Sequence, residues 1–508
     1  MADPVRIELL PLGEKFTVER GGALMDCLFA YGVEFPCGGR GRCKGCRIRM
    51  IGAPTQVSGT ESQLLTAQEI GAGWRLACQA KAENDATLEI AQWEAPVLSD
   101  DSRFDFTPRD GLGVAVDLGT TTLVAQLLDL RSGRSLGVRT ALNAQGRYGA
   151  DIMRRIEFAV ARQGQAKLTR LVRSQIGRMI GELIENVQDQ QAELANVVFA
   201  GNTVMHHLFC GISLEPLSHY PFEPEYYGLQ TFRASHLGWE LGRNPAVRFL
   251  PCIGGFVGSD ILAGVLATRL HETTELEALF DLGTNGEILV GNSERMLCAS
   301  TAAGPAFEGA CISQGMRAAT GAISEVHVRD GRLQCHVIGG ASPRGVCGSG
   351  LVDAVAAGLD LGWIEPGGKL VNKLELPLCP RGALSQRDVR ELQLAKGAVA
   401  AGLRLLLERW SAAPKDLRRI HLAGAFGNYL NSANARRIGL VRSAPDRVLP
   451  DGNTALRGAK IALFHLDQID SEIGRILNQI QHVPLNEADG FLETFVHEMR
   501  FPEPTVFR

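Results

Sequence analysis

Residues 35–46 read Phe35-Pro36-Cys37-Gly38-Gly39-Arg40-Gly41-Arg42-Cys43-Lys44-Gly45-Cys46. The three cysteines have the spacing C-x5-C-x2-C, and a fourth cysteine follows in a separate segment. One loop and one distant segment supply four thiolates to a [2Fe–2S] cluster in this manner. The loop glycines suit this role, because they adopt positive φ angles at little cost and let the backbone approach the cluster. The sequence therefore predicts an electron-carrying cluster with these metal ligands: Cys37, Cys43, Cys46 and Cys78.

A structural zinc site is the alternative for these cysteines. Zinc ribbons usually present two short C-x2-C pairs. Here one long loop holds three cysteines and the fourth is single, so the spacing favours the cluster. The loop and the segment Trp74-Arg75-Leu76-Ala77-Cys78-Gln79 resemble the adrenodoxin-type ferredoxins. That resemblance implies an α+β domain with the β-grasp fold.

The hydrophobic pattern around the loop predicts the matching order of elements. Alternating residues indicate strands at 5–9, 15–18, 47–50 and 86–90, and a helix is predicted at 22–31. We therefore predict a ferredoxin-like domain over residues 1–97. The polar and acidic segment 98–111, which contains Pro108, is predicted to be a linker.

Composition limits the classes of function. A chain of 508 residues has room for several domains. The net charge of −4 argues against a large basic surface for nucleic acid. Without an apolar run of about 18 residues or a signal-peptide core, we expect a cytoplasmic protein that does not enter a membrane. The cysteines outside the quartet form no C-x2-C pair and are expected to be small buried hydrophobic residues.

A repeated motif organises the rest of the chain. Its first copy is Asp117-Leu118-Gly119-Thr120-Thr121-Thr122, and its second is Asp281-Leu282-Gly283-Thr284-Asn285-Gly286. Each copy lies between two apolar strands, and helices are predicted at 166–188 and 392–411. A repeat at this separation predicts an α/β body with two similar lobes.

The residue types of the motif are those of a phosphate site. Successive backbone N–H groups in a Gly/Thr turn form an anion site, and threonine hydroxyls add donors. An aspartate at the strand end can hold Mg²⁺ through water. A single copy would be read as an ordinary hairpin turn, but two copies favour ATP. The predicted cofactor-binding residues are Gly119, Thr120, Thr121, Thr122, Gly283, Thr284, Asn285 and Gly286, with Asp117 and Asp281 as catalytic residues.

These motifs resemble the superfamily of acetate and sugar kinases, heat-shock chaperones and actin. The segment His421-Leu422-Ala423-Gly424-Ala425-Phe426-Gly427-Asn428-Tyr429 matches its adenosine motif. The resemblance implies an actin-like two-lobed ATPase domain over 112–508 with a C-terminal helical tail. It also implies that Gly424, Ala425 and Gly427 receive adenosine, and that Gly304 lines the nucleotide site.

A third aspartate, Asp260, follows the Gly-rich turn 251–259 and precedes a predicted helix. In related kinases an aspartate at such a junction orients the attacking hydroxyl or water, so Asp260 is a candidate catalytic residue. The alternative is that Asp260 is only the N-cap of the helix.

The sequence leaves the role of three further segments undecided. Residues 345–351 begin a helix and suit anion binding or plain packing equally well. His206 and His207 could act as ligands or as a base, although neutral structural histidines are more common. Residues 145–155 either face the cleft or form a solvated helix face.

The two sets of motifs together resemble the reductive activators of corrinoid proteins. In that family the cluster passes one electron to a corrinoid on a partner protein, and ATP drives the reduction of Co(II) to Co(I). The resemblance therefore implies an ATP-hydrolysing iron–sulfur reductase with ATP, Mg²⁺ and a [2Fe–2S] cluster. Its implied partners are a corrinoid protein of a methyltransferase system and an electron donor, and a homodimer stays open. Larger members carry an additional domain between ferredoxin and ATPase, for which 98–111 leaves no room.

Two other functions remain compatible with these motifs. One is a small-molecule kinase with a redox-sensing ferredoxin domain. The other is an electron-transfer module whose ATPase body is a regulated docking switch. Activators of hydroxyacyl-CoA dehydratases share the ATPase body but hold a [4Fe–4S] cluster between subunits, and the C-x5-C-x2-C loop argues against that class.

Overall fold

The structure is a computed structural model of the 508-residue chain. It describes residues 4–10, 14–30, 41, 46–52, 56–90, 106–149, 151–185, 187, 193–283, 285–308, 312–315, 322–338, 343, 345–372, 374–379, 382–427 and 430–503. Cys37, Cys43, Thr284 and most of the predicted linker lie outside the described residues.

The N-terminal domain contains a mixed five-stranded sheet among its described residues, with the order β2-β1-β5-β3-β4. Strands β1 and β5 are parallel, and the other neighbours are antiparallel. This order is the predicted β-grasp arrangement. The elements are β1 Val5–Leu10, β2 Glu14–Val18, α1 Leu24–Ala30, β3 Arg47–Ile51, α2 Gly59–Leu64, α3 Ala67–Gly71, β4 Trp74–Leu76 and β5 Ala86–Ile90.

A six-stranded sheet follows in the same compact unit, which comprises residues 1–251 and 459–467. Its order among the described residues is β10-β11-β9-β6-β7-β8. The elements are β6 Leu112–Leu118, β7 Thr122–Asp129, β8 Ser135–Leu142, α4 Ile152–Ala161, α5 Gln165–Glu185, β9 Leu194–Ala200, α6 Thr203–Cys210, β10 Gln230–Arg233 and β11 Ala246–Phe249.

The second compact unit comprises residues 252–458 and 468–508. Its main sheet has the order β21-β20-β12-β13-β14-β22 among the described residues. The first elements are α7 Ser259–Thr268, β12 Glu277–Leu282, β13 Gly286–Gly291, β14 Met296–Thr301, β15 Ala322–Arg329, β16 Arg332–Val337, β17 Gly345–Val346, α8 Gly348–Asp360, β18 Glu375–Cys379 and β19 Gly382–Ser385. The remaining elements are α9 Gln386–Trp410, β20 Arg419–Ala423, α10 Gly424–Gly427, α11 Ser432–Arg437, β21 Val448–Gly452, α12 Thr454–Phe464, α13 Ile469–Gln479, β22 Ile480–His482 and α14 Phe491–Met499.

The two six-stranded sheets share one internal topology. In each sheet an antiparallel hairpin is extended by a third antiparallel strand, namely β6-β7-β8 and β12-β13-β14. In each sheet two parallel strands lie on the other side of the hairpin, namely β9 with β11 and β20 with β21. The repeated motif therefore occupies the equivalent turn of two equivalent sheets, as the sequence predicted.

Helix boundaries differ from the sequence prediction where local capping decides them. Helix α9 begins at Gln386, several residues before the predicted start, because Ser385 and Asp388 form a reciprocal capping box. The long helices pack on strands that are buried along most of their length. Within the described residues, every helix is too short or too polar to cross a bilayer.

Candidate active site

The pairing of β3 with β4 places two of the predicted cluster cysteines near each other. Arg47 lies opposite Leu76 in this pair, and the Ala77 N–H donates to the Cys46 carbonyl at 2.8 Å. Cys46 immediately precedes β3, and Cys78 follows β4 by two residues. The strand register therefore holds the third and fourth cysteines at the same end of the β3–β4 pair, which is the edge referred to below. The positions of Cys37 and Cys43 lie outside the described residues.

A buried glutamate that the sequence analysis missed supports this edge. Glu61 is 1% exposed, and its Oε1 accepts a hydrogen bond from the Leu76 N–H at 2.8 Å. Its Oε2 accepts from the Ser58 N–H at 2.8 Å as part of a capping box of α2. The Ser-x-x-Glu pattern was a readable cap signal, but the bond to Leu76 depends on the tertiary fold.

Gln79, which directly follows the fourth cysteine in the chain, also contacts that cysteine with its side chain. The Nε2 group of Gln79 lies 3.6 Å from the Cys78 sulfur, close enough to donate a weak hydrogen bond. Donors to ligand sulfurs stabilise the more negative, reduced form of an iron–sulfur cluster. Gln79 is therefore placed to raise the reduction potential of a cluster held by Cys78.

The first Gly/Thr turn joins β6 to β7 and is closed by its own backbone. The Gly119 N–H donates to the Thr122 carbonyl at 3.1 Å. A Cβ atom at Gly119 would lie 2.4 Å from that carbonyl oxygen, so only glycine fits there. Asp117 precedes the turn in β6, opposite Val124, and is half-buried.

Three side chains that lie outside the motif hold this turn. The Nδ2 group of Asn143 donates to the Gly119 carbonyl at 3.0 Å, and that of Asn202 donates to the Thr120 hydroxyl at 2.8 Å. Arg155 donates through Nη2 to the Thr120 carbonyl at 2.6 Å. The turn is therefore fixed by donors from segments far along the chain.

The solvated-face explanation is wrong for Arg155. This side chain is 1% exposed and also donates to the Gly149 carbonyl and the Gln145 amide oxygen. Burial lowers the pKa of its guanidinium to about 10, so it stays charged at neutral pH. The neighbouring Arg154 is exposed and pairs with Asp151 at the surface.

The second turn joins β12 to β13 and lies beside the adenosine motif. The Gly283 N–H donates to the Asn285 carbonyl at 3.0 Å. Asp281 lies next to Ala423 of the parallel strand β20. The following residue, Gly424, has φ +84°, and a Cβ atom there would lie 3.0 Å from the Asp281 Oδ1. A glycine thus lets the second phosphate motif and the adenosine motif meet at one strand end.

Asp281 belongs to a group of three acidic side chains in this unit. Burial raises the pKa of Asp281 to about 6. Burial, together with the charges of Asp260 and Asp281, raises the pKa of Glu287 well above its usual range. Glu287 was not predicted from the sequence. Carboxylate oxygens are the ligands that Mg²⁺ prefers, so the side chains present fit a magnesium ion.

Asp260 lies in the first turn of α7 and is not its N-cap. The N-cap is Gly258, which makes no side-chain capping bond, whereas Asp260 Oδ1 accepts from the N–H of Ile261 at 2.8 Å. The N-cap alternative for Asp260 is therefore wrong. Its candidate catalytic role stays a prediction.

The other glycine segments of the second unit are explained by close packing. A Cβ atom at Gly348 would lie 1.8 Å from the Phe307 carbonyl oxygen, and one at Gly350 would lie 2.1 Å from that of Ile323. Phe307 in turn stacks on Phe426 of the adenosine motif, with 4.8 Å between ring centroids. Gly304 has φ +78°, which explains a glycine in that turn.

Burial keeps one pair of histidines neutral, and contacts within the fold engage a third histidine. His206 and His207 are fully buried, and burial lowers their pKa values to about 3 and about 4, which keeps both neutral. His271 hydrogen-bonds to Glu472, while Glu272 pairs with Arg269, so contacts within the fold satisfy these groups.

A buried histidine at the start of the adenosine motif carries a different charge. The Nε2 atom of His421 lies 2.9 Å from Glu277 Oε2, and its Nδ1 atom lies 2.6 Å from Asp451 Oδ2. Burial by itself lowers the pKa of His421, but these two carboxylates outweigh it and raise the pKa to about 9. The His421 imidazolium in β20 therefore connects Glu277 of β12 with Asp451 of β21.

Comparison with known proteins follows the same division of the chain. Residues 7–83 match the 2Fe-2S iron-sulfur cluster binding domain, 112–273 the RACo middle region, and 275–507 the C-terminal domain of RACo, the ASKHA domain. The linker leads directly into the middle region, which contains the first copy of the repeated motif.

Similar proteins cover most of this chain. The corrinoid activation enzyme RamQ of Eubacterium limosum is 32% identical over 80% of this chain and 74% of its own length. The [Co(II) methylated amine-specific corrinoid protein] reductase of Methanosarcina barkeri is 27% identical over 77% of each chain. A solved reductive activator for a corrinoid, iron-sulfur protein is 26% identical, covers 98% of both chains and has a TM-score of 0.69.

The fold and the matched domains define an iron–sulfur protein fused to an actin-like ATPase. The [2Fe–2S] cluster and ATP with Mg²⁺, both expected from the sequence, are confirmed as its cofactors by these domain matches. More particularly, the chain belongs to the family of corrinoid activation enzymes. The individual ligand and catalytic residues stay predictions.

Replacing Arg155 should weaken nucleotide binding through the first turn. Arg155→Met removes the donors to Thr120 and Gly149 and leaves buried carbonyls without a partner. We expect ATP affinity, measured by calorimetry with Mg²⁺, to fall about tenfold. Arg154→Met, which removes an exposed arginine from the same helix, is the matched control and should bind as the parent does. Equal affinities for both variants would contradict a role of this turn in phosphate binding.

His421 should make the stability of the second unit depend on pH. Its pKa is about 9 in the folded protein against an ordinary 6.5, so its stabilising effect is complete below pH 6.5 and disappears as pH rises through 9. The difference in unfolding free energy between parent and His421→Gln should shrink by about 3 kcal/mol across that range. Taking the difference between the two proteins cancels the contribution of Lys396. Burial lowers the pKa of Lys396 to about 7, so its contribution makes stability rise with pH.

The measurement is denaturant unfolding between pH 6 and pH 9.5. His236→Gln, at an exposed histidine of the first unit, serves as the control and should follow the parent at every pH. A constant difference between parent and His421→Gln would show that the fold does not raise the pKa of His421.

Proposed function

We propose that this chain uses ATP to drive the one-electron reduction of Co(II) to Co(I) in a corrinoid protein. The observation that carries the proposal is the presence, on one chain, of a cluster domain and two equivalent sheets with phosphate-type turns. The chain's similarity to the corrinoid activation enzyme and the corrinoid protein reductase supports the same reaction.

In the N-terminal domain, Cys37, Cys43, Cys46 and Cys78 are the proposed ligands. A [2Fe–2S] cluster held by these residues would supply one-electron transfer from an electron donor to Co(II) of the partner, giving Co(I). Glu61 and the β3–β4 pairing hold the edge that carries Cys46 and Cys78. A fixed edge keeps the geometry of the ligands the same in both oxidation states, so little reorganisation accompanies electron transfer.

In the ATPase body, the Gly/Thr turns are the proposed phosphate sites. The segments Gly119 to Thr122 and Gly283 to Gly286 would offer backbone N–H groups and hydroxyls to the phosphates, apart from the Gly119 and Gly283 N–H groups, which close the turns. Asp117 and Asp281 hold Mg²⁺ and water, Asp260 orients the attacking water, and Gly304, Gly424, Ala425 and Gly427 receive the adenosine. The catalytic effect is electrostatic, because preorganised donors and the metal stabilise charge that develops on the transferred phosphoryl group.

ATP assists the reduction only if its states bind the partner differently. A ligand shifts a conformational equilibrium by no more than its difference in affinity for the two states. We propose that the ATP-bound state favours a complex in which Co(II) loses a ligand, because that change makes reduction less uphill. Linkage then requires the corrinoid partner to favour the ATP-bound or hydrolysis-competent state in return.

The proposed partners and location follow from this reaction. They are a corrinoid protein of a methyltransferase system and an electron donor, in the cytoplasm. The near-neutral charge of −4 gives no basis for nucleic-acid binding, and the proposal does not require a membrane. The reaction also does not require a homodimer.

The proposed ligand set predicts a specific loss of cluster. Cys43→Ala should abolish the red-brown absorbance and the inorganic sulfide, because three thiolates hold the cluster poorly, while the ATPase body keeps its ATP binding. Cys252→Ala, which removes a buried cysteine outside the quartet, is the control and should retain two irons and two sulfides per chain. Stoichiometric zinc without sulfide in parent protein prepared anaerobically would refute the cluster.

The coupling of ATP to cobalt reduction separates this function from its alternatives. With a Co(II)-corrinoid partner and a reductant, Co(I) absorbance should grow in the complete mixture but not without ATP, with Cys43→Ala, or with Asp281→Ala. The loss in the last mixture is expected because Asp281 positions the metal for ATP turnover.

The alternative functions give different results in the same mixtures. A small-molecule kinase would consume ATP with a small acceptor and ignore the corrinoid partner. An electron-transfer module would form Co(I) at the same rate with and without ATP, and that result would refute ATP-driven reduction.

A further inference from the structure

Glu287 is a buried carboxylate in the same row of side chains as Asp281. It lies directly opposite Asp281 in the β12–β13 pair, and directly opposed residues project from the same face of a sheet. The row continues with the small residues Ala423 and Ser300 on either side. Asp281 and Glu287 therefore face the same space with little bulk beside them.

One oxygen of Glu287 lacks a hydrogen-bond partner within the described chain. The side chain is 4% exposed, and its Oε1 is buried and unpaired. The carboxylate accepts hydrogen bonds from the Asn285 side chain and from its own backbone N–H, but Oε1 remains without a donor. A buried acceptor without a donor costs about 1–3 kcal/mol, so such an oxygen in a native fold calls for a partner that binds there.

Other buried glutamates of this chain have such partners. Glu498 is 1% exposed and pairs with Arg404 and Arg442. Glu277 pairs with His421, and Glu61 accepts two backbone N–H bonds. Glu287 differs from them because its nearest charged neighbours, Asp260 and Asp281, are also acidic. A cation between these groups would remove their mutual repulsion.

We propose that Glu287 is a positioning residue of the ATP site, whose Oε1 accepts a hydrogen bond from a water molecule bound to Mg²⁺. Magnesium keeps several of its waters and is usually held by one or two carboxylates. Its waters are donors that need acceptors, and Glu287 Oε1 is an acceptor that needs a donor. The inference rests on the proposed nucleotide site at Asp281 and adds an outer contact that orients the hydrated ion.

The experiment measures how strongly Mg²⁺ assists nucleotide binding. Calorimetry of the full-length, cluster-loaded protein gives the Kd of a non-hydrolysable ATP analogue with Mg²⁺ and with EDTA. The Kd with EDTA divided by the Kd with Mg²⁺ measures how much the metal strengthens binding. This ratio should fall about tenfold in Glu287→Gln, since outer-shell contacts typically contribute 10–100-fold to metal affinity. Glu498→Gln, which also removes a buried glutamate charge of this unit, should keep the parent ratio.

Glu287→Gln distinguishes this role from a structural one. A neutral, protonated Glu287 that only packs would be mimicked by glutamine, and the ratio would then equal that of the parent. That result would overturn the inference. Glu287→Asp keeps the charge but is one methylene shorter, so a ratio between those of the parent and Glu287→Gln is expected, and a parent-like ratio counts against the inference.

Asp281→Asn separates failure of the inference from failure of the site. If Asp281→Asn loses the Mg²⁺ effect while Glu287→Gln keeps it, the nucleotide site stands and the role of Glu287 is refuted. If both variants keep the parent ratio, the metal is bound elsewhere and the proposed site at Asp281 is itself wrong.

Discussion

The close approach of Gly424 to the Asp281 carboxylate is the constraint on which the second nucleotide-type site depends. Any side chain at that position would begin 3.0 Å from the Asp281 Oδ1, in a backbone conformation that favours glycine. The parallel pairing of β20 with β12 brings the two residues to the same strand end. A motif for phosphate and a motif for adenosine can therefore share one edge of the sheet.

The buried charges of the chain divide into satisfied and unsatisfied groups. Arg155 donates to backbone carbonyls around the first turn, and His421 is held between Glu277 and Asp451. These groups connect separate segments of the chain, and each buried charge is compensated by an opposite charge or by backbone carbonyls. Glu287 is compensated only in part, because the Asn285 side chain hydrogen-bonds to its carboxylate while its Oε1 stays unpaired, and a bound ion would complete the compensation.

Electron transfer and ATP hydrolysis place different demands on the scaffold. The cluster edge needs constant geometry, which Glu61 and the β3–β4 pair provide through backbone hydrogen bonds. The ATPase body needs at least two states that differ in affinity for the partner. Each of the two six-stranded sheets carries its own Gly/Thr turn.

Short local patterns determined much of this protein from the sequence alone. The cysteine spacing, the glycines of the two turns and the alternation of the strands each operate over a few residues, so they predicted the cluster type, the β-grasp domain and the repeated α/β sheets. Asp281 was selected for the same reason, whereas Gly424 was predicted only from the resemblance to the kinase, chaperone and actin superfamily. The tertiary structure decided the rest. Arg155 reaches Thr120, Glu61 reaches Leu76, and Glu287 faces Asp260 only after strands and helices from distant segments pack. Burial decides whether a charged side chain is hydrated by solvent, paired within the protein or left with an unpaired polar atom. Burial in turn depends on the whole fold, so the sequence of one segment does not reveal it.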